Sequence, residues 1–199
     1  MKDTSLYAFL KKDPIFKNLI EKYGVLETTD EVRDVFTHLV GQIIGQQLSG
    51  KAADTIEGRF RKLLKTEDPY SPNEILQLDN EKVRAAGLSY SKIKYIKGLA
   101  KAVVDQGLDL TIIGKLSDEE VIVNLTKIKG IGRWTAEMTL MFTLRRPDIF
   151  SLGDNGLVSA ISKLYGVDKK DLKTIEKISE KWKPYRTYAS RYLWKSLDQ

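Results

Sequence analysis

The sequence predicts an all-α protein, and three observations carry that prediction. Apolar residues recur at three- and four-residue intervals, as in Val35, Phe36, Leu39, Val40, Ile43 and Ile44. Cap residues, first-turn prolines and terminal glycines break these runs into short segments. The single stretch with β character, residues 108–113, is too isolated to build a sheet.

Each element has a local cause. Asp13-Pro14 opens a helix with proline at its first position, and Gly24 ends it. Thr28-Thr29-Asp30-Glu31 offers a capping box for a helix running through Val32 and Val35 to Ile44. Ser49 can cap the next helix, which carries Ala52, Ala53, Ile56, Phe60, Leu63 and Leu64. Ser71-Pro72-Asn73-Glu74 combines a cap, a proline and a capping-box glutamate. A short helix around Val83 follows, then one from Ser91 to about Val104, with Lys92, Lys94, Lys97 and Lys101 reading as a solvated face. Ser117 with Glu120 starts another helix, and three more are expected at 155–165, 169–181 and 184–197. The count is about ten helices.

Composition narrows the chemistry. The 199 residues are 42% hydrophobic and 30% charged, an ordinary globular balance. With no Cys there is no disulfide, thiolate metal site, cysteine nucleophile or cysteine-held iron–sulfur cluster. One histidine, His38, argues against a His-rich metal site and against a Ser-His-Asp triad; it is expected to pack or hydrogen-bond on its helix. No run has signal-peptide or membrane-spanning length, so an intracellular protein without a membrane partner is expected. The net charge of +6 favours a polyanionic partner.

The segment 125–154, LTKIKGIGRWTAEMTLMFTLRRPDIFSLGD, is the most informative. Ile128-Lys129-Gly130-Ile131-Gly132 lies between two helical patterns, the second running from Arg133 through Met138, Met141 and Phe142 to about Leu144. Two glycines around one apolar residue make a tight turn whose backbone N–H groups, with those opening the next helix, can face a phosphate oxygen. This is the pattern of a helix-hairpin-helix, which holds nucleic-acid backbone without reading sequence. Lys127, Lys129 and Arg133 supply positive charge around it.

The chain resembles the helix-hairpin-helix (HhH-GPD) DNA glycosylase superfamily, close to its 3-methyladenine DNA glycosylase II branch, over residues 32–194. The resemblance rests on VGQIIGQQLSGKAADTI (40–56), AAGLSYSKIKYIKGLA (85–100), the hairpin-to-aspartate segment, and WKPYRTYASRYLW (182–194), in the expected order. It implies two helical lobes around a cleft, a central lobe of about 32–133 ending in the hairpin and a second of 1–31 plus 134–199. It also implies the compact form, without the β-rich N-terminal domain of some relatives. The partner implied is double-stranded DNA containing alkylated bases, met by a monomer. No organic cofactor or catalytic metal is implied, although the hairpin can take a monovalent cation on its carbonyls when DNA is bound.

Site residues follow by position. Asp154 begins a helix, where an N-cap belongs; by spacing alone it is a cap, whereas the resemblance makes it the essential aspartate. A fixed anion would stabilise the positive charge that grows on deoxyribose as the base departs. Because a helix N-terminus stabilises negative charge, charge stabilisation and water positioning suit Asp154 better than strong general-base work. Two places after Gly132, where strand-cutting relatives have a lysine, this chain has Trp134, which cannot form a Schiff base. Trp134 and Trp194 match pocket aromatics of the branch, and their π faces suit a cationic alkylated purine. Met138 stands where a close relative has a pocket tyrosine, keeping packing surface but losing a hydroxyl.

The turn Gln46-Gln47-Leu48-Ser49-Gly50 matches the family's DNA-plugging wedge, with Gln47, Leu48 and Ser49 all candidates. Its plainer reading is a helix connection capped by Ser49. Arg186 and Tyr188 are expected to support the helix that carries Trp194. The reading is thus a monofunctional glycosylase for alkylated purines. Its rivals are a non-catalytic protein that binds damaged DNA, and a glycosylase for deaminated or oxidised bases.

Overall fold

In a computed structural model that describes residues 4–26, 34–66 and 68–198, the described chain is helical, with no strand. The helices are α1 (Thr4–Leu10), α2 (Pro14–Tyr23), α3 (Val35–Gly45), α4 (Gly50–Arg61), α5 (Pro72–Gln77), α6 (Asn80–Ala85) and α7 (Tyr90–Asp105). There follow a 3-10 turn (Ile113–Lys115), α8 (Asp118–Thr126), α9 (Arg133–Met138), a π turn (Thr139–Thr143), α10 (Asn155–Tyr165), α11 (Leu172–Glu180) and α12 (Arg186–Lys195). The 108–113 run forms no strand; it is irregular at 108–109, turns at 110–112 and enters the 3-10 element at Ile113. Without a second strand to pair with, its backbone donors go elsewhere: Leu108 N–H to Ala102 O at 3.0 Å and Thr111 N–H to Asp109 Oδ1 at 2.8 Å.

The chain divides into two compact units, a first of Met1–Asp30 with Arg145–Gln199 and a central one of Glu31–Leu144. The division after Leu144, instead of after Arg133, keeps the whole post-hairpin helix in the central unit. There α9 and the π turn pack on α8 and α3. The central core is built on α3, whose Leu39, Val40, Ile43 and Ile44 are fully buried at helical spacing. The first unit buries Phe16, Leu157, Ile161, Ile175, Trp182 and Leu193 together, with Phe16 edge-on to Trp182 at 5.0 Å.

The caps show where sequence signals hold and where competition overrides them. Asp13 caps α2, its Oδ1 accepting the Ile15 N–H at 2.9 Å, and Gly24 ends the helix at φ +68°. The Ser117–Glu120 box closes in both directions, Ser117 N–H to Glu120 at 2.8 Å and Glu120 N–H to Ser117 Oγ at 3.4 Å. Ser71 caps α5, but Glu74 does not reach back to it. Its carboxylate instead accepts the N–H groups of Lys65 (2.6 Å) and Thr66 (3.4 Å), which end the preceding segment and lack helical partners. The box expected at Thr28–Glu31, with Val32, lies outside the described residues; α3 is capped by Asp34, which accepts from Phe36 N–H and Thr37 N–H at 2.9 Å.

Two tertiary contacts tie sequence-distant elements together. In the first unit Asp13 uses its other oxygen, Oδ2, to accept the Tyr165 hydroxyl at 2.7 Å and the Trp182 indole N–H at 3.4 Å. In the central unit Gly130 sits at φ +98°, and a Cβ there would lie 2.4 Å from Cγ of Tyr95. The hairpin backbone therefore lies directly against an α7 side chain, which only glycine permits.

Gly130→Ala should accordingly destabilise the central unit by about 2–4 kcal/mol, combining positive-φ strain and overlap, read as a lowered melting temperature. Tyr165→Phe removes a bond to a carboxylate and should cost about 1–3 kcal/mol in denaturant unfolding. Burial, then Asp13, pushes the Tyr165 hydroxyl well above its ordinary value. The folded chain thus keeps a proton that the unfolded chain loses near pH ~10, so this stabilisation is intact below that pH and falls above it. The Phe variant should show a shallower alkaline loss of stability.

Candidate nucleic-acid interface and catalytic site

The hairpin is a four-residue turn closed by the Ile131 N–H to Ile128 O bond at 3.0 Å. That donor is spent inside the turn, so only part of the expected outward set is offered. The N–H groups of Gly132 and Arg133 open α9, where no intrahelical acceptor exists for them. Lys129 is exposed, and Lys127 donates to Asn124 Oδ1 at 3.2 Å. Arg133, expected on phosphate, is engaged on both sides: Nε meets Glu137 at 2.9 Å and Nη2 meets Glu119 at 3.3 Å. Its guanidinium braces α8 against α9, which leaves the backbone and the lysines as the hairpin's positive features.

Beside the hairpin lies the α3–α4 connection. Gly45 to Leu48 forms a tight turn closed by Leu48 N–H to Gly45 O at 3.1 Å. Gln46 has φ −50° and ψ 129°, and Gln47 has φ +59°, the geometry of a type II turn. Glycine or asparagine normally takes that third position; a glutamine there is strained by about 1–2 kcal/mol. Gln47, Leu48 and Ser49 are all exposed. Ser49 precedes α4 but its side chain makes no capping bond, so the plainer capping reading of its hydroxyl fails.

The turn is held from behind. Gln46 Nε2 donates to Gly130 O at 2.8 Å. Lys92 Nζ donates to Ile44 O at 2.7 Å and Gln46 O at 2.8 Å, capping the last carbonyls of α3. Burial pushes the Lys92 ammonium below its ordinary value. Lys97 likewise donates to Leu78 O at 2.6 Å. The lysine stripe of α7, expected to be a solvated face, thus spends two of its members on main-chain carbonyls.

These pieces line one groove of about 840 Å³ in the central unit, whose walls include Gln46, Gln47, Leu48, Lys92, Tyr95 and Trp134. Trp134 is 42% exposed, a large indole left at the surface. His38 also borders the groove, half-buried on α3. Met138, one turn after Trp134, is 3% exposed and is not among the groove's walls. Its side chain is buried in the central unit.

In the first unit Asp154 is half-buried at the start of α10. Its Oδ1 accepts the Leu157 N–H at 2.8 Å, the N-cap bond, and also the Trp194 indole N–H at 3.0 Å. The capping reading therefore holds, and the same oxygen also takes a donor from forty residues away. Gly156 makes room for the pair: a Cβ there would lie 3.0 Å from Asp154 Oδ1 and 3.3 Å from Trp194 Cδ1. Trp194 is brought to Asp154 by the way α12 begins. Arg186 clasps Asp148 (2.8 and 3.0 Å) and Glu180 (2.9 Å). Thr187 Oγ1 donates to Arg146 O at 2.6 Å and accepts the Ile149 N–H at 3.0 Å. Tyr188 packs against Tyr185, with ring centres 6.4 Å apart.

Sequence reasoning missed Gly156 and Thr187 in the first unit and Tyr95 in the central one, and it did not foresee the main-chain contacts of Gln46 and Lys92. Among the described residues no group of three or more His, Asp or Glu side chains could hold a metal ion. Among the described residues, no helix is long and apolar enough to cross a membrane.

Comparison with known proteins gives this geometry a context. The family described as "HhH-GPD superfamily base excision DNA repair protein" matches residues 40–184. The chain is 38% identical over 169 residues to DNA-3-methyladenine glycosylase 1 of Schizosaccharomyces pombe, covering 83% of this chain and 74% of that protein. It is 34% identical to a putative DNA-3-methyladenine glycosylase of Bacillus subtilis, covering 82% of this chain but 59% of that longer protein. The solved structure of an S. pombe 3-methyladenine DNA glycosylase in complex with abasic DNA superposes with a TM-score of 0.85 at 32% identity, covering 98% of each chain. The chain belongs to the HhH-GPD superfamily of base-excision DNA repair proteins.

Proposed function

We propose that this protein excises alkylated purines, of the 3-methyladenine and 7-methylguanine type, from double-stranded DNA by hydrolysing the N-glycosidic bond. The observation that carries the reading is the Asp154 carboxylate, held by the Leu157 and Trp194 N–H groups at the start of α10. It supplies a fixed anion where the family places its essential aspartate. The relatives' names, which refer to 3-methyladenine, support the choice of substrate class.

N3- or N7-alkylation leaves the base cationic, so it departs with the glycosidic electron pair as a neutral molecule. Positive charge passes to the deoxyribose, where Asp154 stabilises it. Water then adds to C1′ and loses a proton to solvent. Trp134 offers an exposed π face for a cationic purine. Its indole cannot form a Schiff base, so the strand stays intact. Trp194 acts differently from the stacking role first expected: its N–H orients Asp154, and only its ring face remains for the base. Lys127, Lys129 and the N–H groups at Gly132 and Arg133 hold the phosphate backbone, and Gln47, Leu48 and Ser49 plug the duplex. A monovalent cation at the hairpin would use main-chain carbonyls, Ile128 among them, and add positive charge beside the phosphate.

Chromatography of bases freed from methylated duplex DNA tests this directly. The wild type should release 3-methyladenine and 7-methylguanine without nicking the strand. Asp154→Asn should release them at least about 100-fold more slowly, with duplex affinity little changed. Trp194→Phe, which keeps a ring but removes the donor to Asp154, should lose about 10-fold, the equivalent of one hydrogen bond. An Asp154→Asn enzyme that keeps most of its rate would sink the reading, and a wild type that binds but releases nothing would favour the non-catalytic rival. Gln47→Gly should relieve the positive φ and raise stability by about 1 kcal/mol while slowing base release, because the plugging side chain is gone.

A further inference from the structure

We infer that Gln46 is a positioning residue that locks the plugging turn to the phosphate-holding hairpin, with Lys92 as its second anchor. The inference rests on the proposed function, since it assigns mechanical roles to the turn and the hairpin.

Three contacts form a closed triangle inside the central unit. The Gln46 side chain donates to the hairpin at Gly130 O (2.8 Å), and its own carbonyl accepts from Lys92 Nζ (2.8 Å). The third side is the hairpin against α7, where a Cβ on Gly130 would overlap the Tyr95 side chain. Lys92 and Tyr95 are three residues apart on α7 and so share one face. One helical turn of α7 therefore grips the plugging turn with an ammonium and supports the hairpin with a ring, while Gln46 joins the two directly. Every one of these contacts is to main chain, so the frame does not depend on which side chain sits at 47.

The arrangement is costly to hold, which is why it needs anchors. Gln47 sits at a φ that glutamine disfavours, and Lys92 is partly withdrawn from water. A turn with those liabilities would relax if its carbonyls were released. Extrusion of a base asks such a turn for stiffness. While the hairpin holds one stretch of backbone, the plug must displace a stacked nucleotide that resists by a few kcal/mol. If turn and hairpin could separate, energy gained on the phosphates would be lost in bending the protein. Joined, they fix the distance between anchor and plug, and backbone binding is spent on extrusion.

The prediction is specific to the step that needs force. Single-turnover excision of 7-methylguanine would be measured in two duplexes, one fully paired and one with the lesion in an unpaired bulge, where extrusion is nearly free. Gln46→Met keeps length but removes the donor. It should slow the paired reaction about 10-fold and the bulged one less than about 3-fold, with undamaged-duplex affinity unchanged within about 2-fold. Gln46→Glu, which sets a carboxylate against the Gly130 carbonyl, should slow the paired reaction further, and Lys92→Met should show the same context dependence. Should Gln46→Met melt below assay temperature, Gln46→Asn, with its amide one methylene too short, takes its place. Equal slowing in both duplexes, or none in either, overturns the inference. Gln47→Ala run in parallel separates the two levels. If it slows paired excision while Gln46→Met does not, the plug stands and the coupling falls. If neither variant slows it, the plug reading itself falls.

Discussion

Two N–H donors converging on one carboxylate oxygen are the contact from which the first unit's arrangement follows. One donor is local: Leu157 lies three residues after Asp154, and this is an ordinary N-cap bond. The other comes from Trp194, forty residues on, and requires α12 to lie across the start of α10. The local bond keeps the carboxylate at a helix terminus, where negative charge is favourable. The distant bond removes its rotational freedom. A charge used to stabilise a transition state must already be in place when the reaction begins, because reorganisation at that moment adds to the barrier. The Arg186–Asp148 clasp and the Thr187 bonds to the 146–149 segment hold the chain that leads to Asp154 against the helix that ends near Trp194, which suits the carboxylate to the role proposed for it.

The central unit follows a different logic. Its exposed features include the start of α9, two lysines, an indole and a turn with an unfavourable φ at Gln47, which the proposed function sets against a duplex. Half-buried side chains behind them donate to main-chain acceptors. Lys92 and Lys97 could each have pointed into solvent, and their charge would then have added to a general basic surface. They instead satisfy carbonyls at the ends of α3 and α5, where a helix leaves its last acceptors unmet. Arg133 makes a similar exchange, pairing with Glu119 and Glu137. A basic net charge is thus a poor guide to how many basic side chains reach a partner.

The capping signals show how far local sequence can be read. Ser117 with Glu120 closes as written, the glutamate taking the Ser117 N–H. Ser71 with Glu74 has the same pattern and does not close, because the donors of Lys65 and Thr66 end a preceding segment without partners and capture the carboxylate. The residues are equally suggestive in both cases; the outcome depends on a neighbour that only the folded chain supplies. Ser49 behaves similarly: a serine before a helix caps it with its side chain only if its hydroxyl turns back.

The sequence by itself determined the helical class, most helix starts, the hairpin, and the replacement of a nucleophilic lysine by Trp134. These depend on spacing, dihedral preference and side-chain chemistry, which are properties of a few adjacent residues. Tertiary structure decided what distant chain segments do to one another. It gave Asp154 its second donor, set Tyr95 against Gly130, turned Gln46 toward the hairpin and buried Met138. Such contacts join residues dozens of positions apart, and no local preference encodes a bond whose partner is brought in only by packing.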